Sequence, residues 1–135
     1  MSSSNVELVQ KMLGAYVSGD EKTLQAMIAP NGEIHGAPGL LNAGTYYGFA
    51  GFQEWIKQWE EAWDGVRYEL GEAIEVGSIV VIPTRIVGRG AGSGVEIDSE
   101  FGWLYEFRDG QAVRFHAYVS VDEALEAARR LSEAE

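Results

Sequence analysis

The chain has 135 residues, 46% of them hydrophobic and 23% charged, a balance that fits one packed domain spanning residues 1–135 and excludes an intrinsically disordered chain. Ten basic residues face twenty-one acidic ones, and the net charge of −11 repels phosphate backbones and anionic lipid, so neither a nucleic-acid nor a membrane partner is expected. Cysteine is absent, which excludes disulfides, thiolate metal ligands and a cysteine nucleophile. Residues 1–5 are polar and lack a basic stretch leading into an apolar run, so the expected compartment is the cytoplasm.

In chain order, Ser4 and Glu7 have the spacing of a capping box, and Leu8, Val9, Met12, Leu13, Tyr16 and Val17 then recur at helical spacing until Gly19. Asp20 is placed to cap a second, shorter helix carrying Leu24, Met27 and Ile28, which Pro30 prevents from continuing. Residues 33–36 read as a short strand, followed by a glycine-rich loop ending at Tyr46 and Tyr47. From Phe49 a helical stripe returns in Phe52, Ile56, Trp59 and Trp63, flanked by Trp55. Beyond Gly65, residues 66–76, 78–89, 95–107 and 112–119 are rich in β-branched and aromatic side chains and are separated by short turns, which predicts antiparallel neighbours. Ser120 and Glu123 form a second capping box ahead of a terminal helix with Ala124, Leu125, Ala128 and Leu131.

Helices first and strands afterwards predict an α+β fold with the helices on one face of the sheet. Strand alternation assigns Phe101, Trp103, Tyr105 and Phe107 to the inner face, together with Phe115 and Ala117 on the last strand. Arg85, Arg114, His116 and Tyr118 fall on the outer face, where arginines and aromatics suit a two-fold dimer contact. Several familiar motifs are missing. The glycines at 88–94 lack the dinucleotide spacing and join two strands, Ser93 lacks the setting of a nucleophile elbow, and two histidines far apart and on opposite faces make no zinc site.

Among inward-facing positions, His35 is the candidate general base or acid, because with Glu33 it lies on a short strand running under the helices. The plainer alternative is a histidine bonded to a backbone carbonyl or resting at the rim. The expected pocket wall is Tyr47, Trp59, Trp103, Tyr105, Phe115 and Ala117, suited to a small apolar organic molecule, with tyrosine and tryptophan supplying hydrogen-bond donors. For Trp59 and Trp63 the simpler reading is core packing. Nothing in the sequence asks for a metal or cofactor.

The stretches 15–20, 28–30, 33–36, 47–48, 88–94, 107–110 and 122–125 resemble the nuclear transport factor 2-like superfamily, in particular its SnoaL-like, polyketide cyclase-like branch. The resemblance implies a cone-shaped, curved antiparallel sheet wrapped around three N-terminal helices, with a C-terminal helix. It also implies a deep pocket and frequent dimers through the outer sheet face. The superfamily's ketosteroid isomerase-like members would place their base at His35, their oxyanion tyrosine near Met12 and its partner acid near Trp103. The acid of polyketide cyclases and epoxide hydrolases would fall at Ala117, and residues 78–95 carry no carboxylate. Three readings stay open: proton transfer using His35, a non-catalytic ligand-binding or dimerisation module, and a scaffold whose pocket is filled by Trp59, Trp63, Trp103 and Phe115.

Overall fold

The computed structural model describes residues 5–36 and 44–134 in full and the backbone alone at residues 3–4. Helix α1, Ser3–Ser18, turns Val9, Met12 and Ala15 inward at helical spacing and stops where Gly19 adopts φ 76°, a left-handed conformation that glycine adopts without strain. The Ser4 side chain, expected to cap this helix, lies outside what the structure describes. Asp20 caps α2, Glu21–Met27, accepting from Thr23 N at 3.2 Å and Thr23 Oγ1 at 2.6 Å, and these bonds hold its carboxyl below the usual range.

Strand β1, Ile28–Gly36, pairs with β2, Gly44–Tyr47, so part of the expected loop is a strand. Helix α3, Gly48–Ala62, follows directly. It needs glycine at its start, because Gly48 has φ 67° and a Cβ there would lie 2.9 Å from the Pro30 carbonyl oxygen. Strands β3 (Trp63–Leu70), β4 (Ile74–Val76), β5 (Ile79–Gly90), β6 (Glu96–Arg108) and β7 (Gln111–Tyr118) come next, then α4 (Val121–Glu133). Trp63, expected on the helical stripe, therefore opens a strand.

Among the described residues the sheet runs β2-β1-β7-β6-β5-β3, with β4 added against β5. Its pairs are antiparallel except one: β1 and β7 run parallel, with Ile34 beside Phe115 and His35 beside His116. The expected all-antiparallel sheet is thus mixed. Hairpin turns oblige sequence neighbours to run antiparallel, but β1 and β7 come from distant parts of the chain and are free of that constraint.

The inner face packs on α1–α3 through Val80, Ile82, Tyr105, Phe107 and Ala112. Three N-terminal helices share this face as expected, and the C-terminal helix α4 lies on the other side. Ile79, Val81 and Leu104 are fully buried there under Ala124, Ala127 and Ala128. The reason is local: residues Ile79, Val80, Val81 and Ile82 are all buried in succession, so β5 is apolar on both faces and both require cover. Gly102 permits the close approach, since a Cβ there would stand 2.5 Å from that of Ala124. The capping box of α4 forms as expected, with Glu123 N donating to Ser120 Oγ at 3.2 Å. No described helix is long and apolar enough to cross a membrane.

Candidate functional site

Beneath α1–α3 the curved sheet leaves a cavity of about 120 Å³. Its wall is nearly all apolar and is organised around five rings that close on one another. Trp55 and Trp59, one turn apart on α3, stack with centroids 6.1 Å apart. Trp55 meets the Phe115 ring of β7 edge-on at 5.4 Å, Phe115 meets Trp103 of β6 at 5.9 Å, and Trp103 meets Tyr68 of β3 at 5.7 Å. The Nε1–H of Trp59 donates to the Tyr68 hydroxyl at 2.7 Å and completes the belt. Each contact has the edge-to-face, tilted or offset form that ring quadrupoles favour.

Three hydroxyls border this space. Tyr16 donates to Glu60 Oε2 at 2.7 Å, joining the last turn of α1 to α3, and burial followed by this bond pushes its pKa up. Tyr68 accepts from Trp59, and its pKa is raised chiefly by burial. Tyr105 differs. Its ring packs on Phe115 at 5.1 Å, burial alone drives its pKa up, and no described residue hydrogen-bonds to its hydroxyl. It is a neutral donor at physiological pH with only the cavity to face.

Of the wall residues expected from sequence, Trp59, Trp103, Tyr105 and Phe115 line the cavity. Ala117 is buried on the same face opposite Trp103 but lies outside the lining, and Tyr47, 62% exposed ahead of α3, is no part of it. Tyr16, Trp55 and Tyr68 are additions. Tyr68 alternates with Val66 and Leu70 along its strand, and Tyr16 follows Met12 by one helical turn, so the positional signal existed for both.

His35 requires the main correction, because it does not face the cavity. Ile34, 3% exposed, takes the inward place on β1 and lines the cavity; the side chains of Glu33, which still borders the cavity, and of His35, which does not, meet on the outer face. There His35 Nε2 lies 2.8 Å from Glu33 Oε1 and Nδ1 lies 3.1 Å from Thr45 Oγ1. The two histidines, expected on opposite faces, are stacked 4.9 Å apart, because the parallel register sets them side by side. His116 stacks in turn on Tyr118 at 4.0 Å. Burial, then His35 and Arg114, pull the His116 pKa down to about 4.

The outer-face set expected for a dimer also divides. Arg85 stands opposite Glu100 and Arg114 opposite Glu106, six residues further along β6, a separation of roughly 20 Å. Helix α4 covers Leu104 between them. Arg85 is engaged by Asp98 at 2.8 Å and Glu69 at 3.3 Å, while Arg114, His116 and Tyr118 border a groove against Arg130 and Leu131 of α4.

A family model described as the SnoaL-like domain matches residues 9–115, most of the chain. The chain belongs to this family. No curated protein is significantly similar to this SnoaL-like domain. Among solved structures, a nuclear transport factor 2-like protein from Burkholderia xenovorans is 21% identical with a TM-score of 0.77, over 95% of this chain and 98% of that one. TerC, co-crystallised with polyporic acid, is 22% identical with a TM-score of 0.74, over 93% and 98%. A protein with a ketosteroid isomerase-like fold from Catenulispora acidiphila, in complex with trimethylamine, is 17% identical with a TM-score of 0.68, over 90% and 92%. At such identities the likeness establishes the fold of the SnoaL-like domain.

Proposed function

We propose that this SnoaL-like domain is a receptor for a small, mainly apolar organic molecule, held inside the aromatic belt with one acceptor atom on the Tyr105 hydroxyl. The observation that carries this reading is the unpartnered hydroxyl. A donor in a nearly apolar wall that no described residue engages gains a hydrogen bond, on the order of 1 kcal/mol, when a ligand acceptor meets it. The volume of about 120 Å³ is slightly smaller than a space of about 150 Å³ that takes up benzene, so the ligand is of single-ring size or less. Two structural neighbours carry small organic molecules, polyporic acid and trimethylamine, which supports ligand binding by this fold.

Binding without turnover is the better-supported form of this function. A proton-transfer enzyme needs a base beside its substrate. The Glu33 carboxylate is drawn to His35 on the outer face, and Tyr16, Tyr68 and Tyr105 all hold their protons more tightly than usual. His35 lies on the opposite face of β1 from the cavity, so this reading does not use it as the base.

Calorimetric titration with cyclohexanone and toluene tests the reading. Cyclohexanone should bind saturably, and filling the space with Ala112→Leu should weaken it at least about tenfold, the order expected when a ligand-sized void is lost. Tyr105→Phe should weaken cyclohexanone and leave toluene unchanged. Failure of both compounds to bind the unaltered protein would refute the receptor reading.

A further inference from the structure

We infer that the molecule this cavity selects is a cation: a small tertiary or quaternary alkylammonium bearing one oxygen. The inference rests on the reading of the cavity as a ligand receptor and adds the charge of the ligand. Its first support is the composition of the belt. Aliphatic side chains such as Leu24, Ile28 and Ile34 share the wall, but Trp55, Trp59, Trp103, Tyr68 and Phe115 all line it and touch one another in a closed series. Ring quadrupoles attract a cation, tryptophan most strongly, and a desolvated site increases the effect. A quaternary ammonium also has no N–H group to satisfy, so it suits a wall with a single free hydroxyl.

The second support is the charge around the cavity. Arg114 borders it but turns its guanidinium to Glu106 on the outer face, Nε lying 3.8 Å from Oε1, so it does not oppose a cation inside. Between α1–α2 and α3 a surface groove of about 530 Å³ shares Tyr16, Leu24, Phe52 and Ile56 with the cavity. The charges on this groove are Glu21, Glu60 and Glu61 against Lys57. Glu60 also accepts the Tyr16 hydroxyl at 2.7 Å, which fixes a carboxylate at the boundary between groove and cavity. On a chain of net charge −11, such an approach concentrates cations and disfavours anions.

Choline and its neutral carbon isostere, 3,3-dimethylbutan-1-ol, have the same shape and the same hydroxyl and differ in charge, so calorimetry with this pair on the intact protein isolates the inference. Choline should bind at least about tenfold more tightly than the alcohol. Trp103→Leu should reduce choline affinity about tenfold and that of the alcohol by less. Trp103→Phe, which keeps a ring, serves if the leucine variant does not fold, and should give a smaller loss in the same direction. The pair Glu60→Gln and Glu61→Gln should weaken choline and flatten its salt dependence without affecting the alcohol. Equal affinity for alcohol and choline would overturn the charge inference and leave the receptor reading intact; failure of both probes to bind would remove both.

Discussion

Tyr105 combines a buried ring with a hydroxyl that no described residue satisfies, so the ring serves stability and the hydroxyl serves binding. Without ligand, Tyr105→Phe should leave stability within about 0.5 kcal/mol, because the hydroxyl gives up no protein partner and the ring contacts are kept; urea unfolding measures this. His116 yields a prediction in pH. Its folded-state pKa of about 4 lies below the ordinary value of 6.5, so between those values the unfolded chain binds a proton that the folded chain refuses. Stability should therefore be complete above pH 6.5 and fall as pH drops toward 4, by on the order of 1 kcal/mol, since solvent reaching the partly exposed ring screens the effect. Urea midpoints at pH 7 and 4.5 should differ less in His116→Gln. Asp20 and Asp98, both lowered by hydrogen bonds, weaken only below the normal carboxylate range, in a separate window. At this scale the sequence was a partial guide. The inward rings on β6 followed from alternation, but the part of β1 legible in the sequence, residues 33–36, is short, and its pairing shows that Ile34 rather than His35 points inward.

At the scale of elements, the terminal helix shows where local signals end. Its capping box and its alanines are legible, and Ser120→Ala should cost about 1 kcal/mol in chemical denaturation. Its position on the far face is not legible in the helix itself. That position follows from Gly102 together with the doubly apolar run Ile79–Ile82, two features over twenty residues apart that meet only when β5 and β6 pair. Gly102→Ala should force α4 away from the sheet and destabilise the protein by about 1–3 kcal/mol, with Tyr118 and Leu125 becoming more exposed to hydrogen exchange nearby. The belt follows the same logic. Three of its five members, Trp59, Trp103 and Phe115, stood in expected wall positions, yet the closure depends on Trp59 reaching Tyr68 across the α3–β3 junction.

For the whole molecule, the order of elements and the strand faces around the cavity were readable because each depends on near-neighbour periodicity. The parallel seam between β1 and β7 was not, since nothing local encodes a pairing between segments separated by most of the chain. That seam has a consequence for synthesis. As the polypeptide leaves the ribosome, β1 has β2 for company but must wait for about 75 further residues, from Gly36 to Gln111, before β7 emerges to bond its other edge. Until then one edge of β1 stays open to stray pairing. In refolding, the seam should form after the rate-limiting step, so Ile34→Val should accelerate unfolding and leave the refolding limb of a stopped-flow chevron nearly unchanged. Equal slowing of refolding would place that late-arriving bond in the nucleus instead.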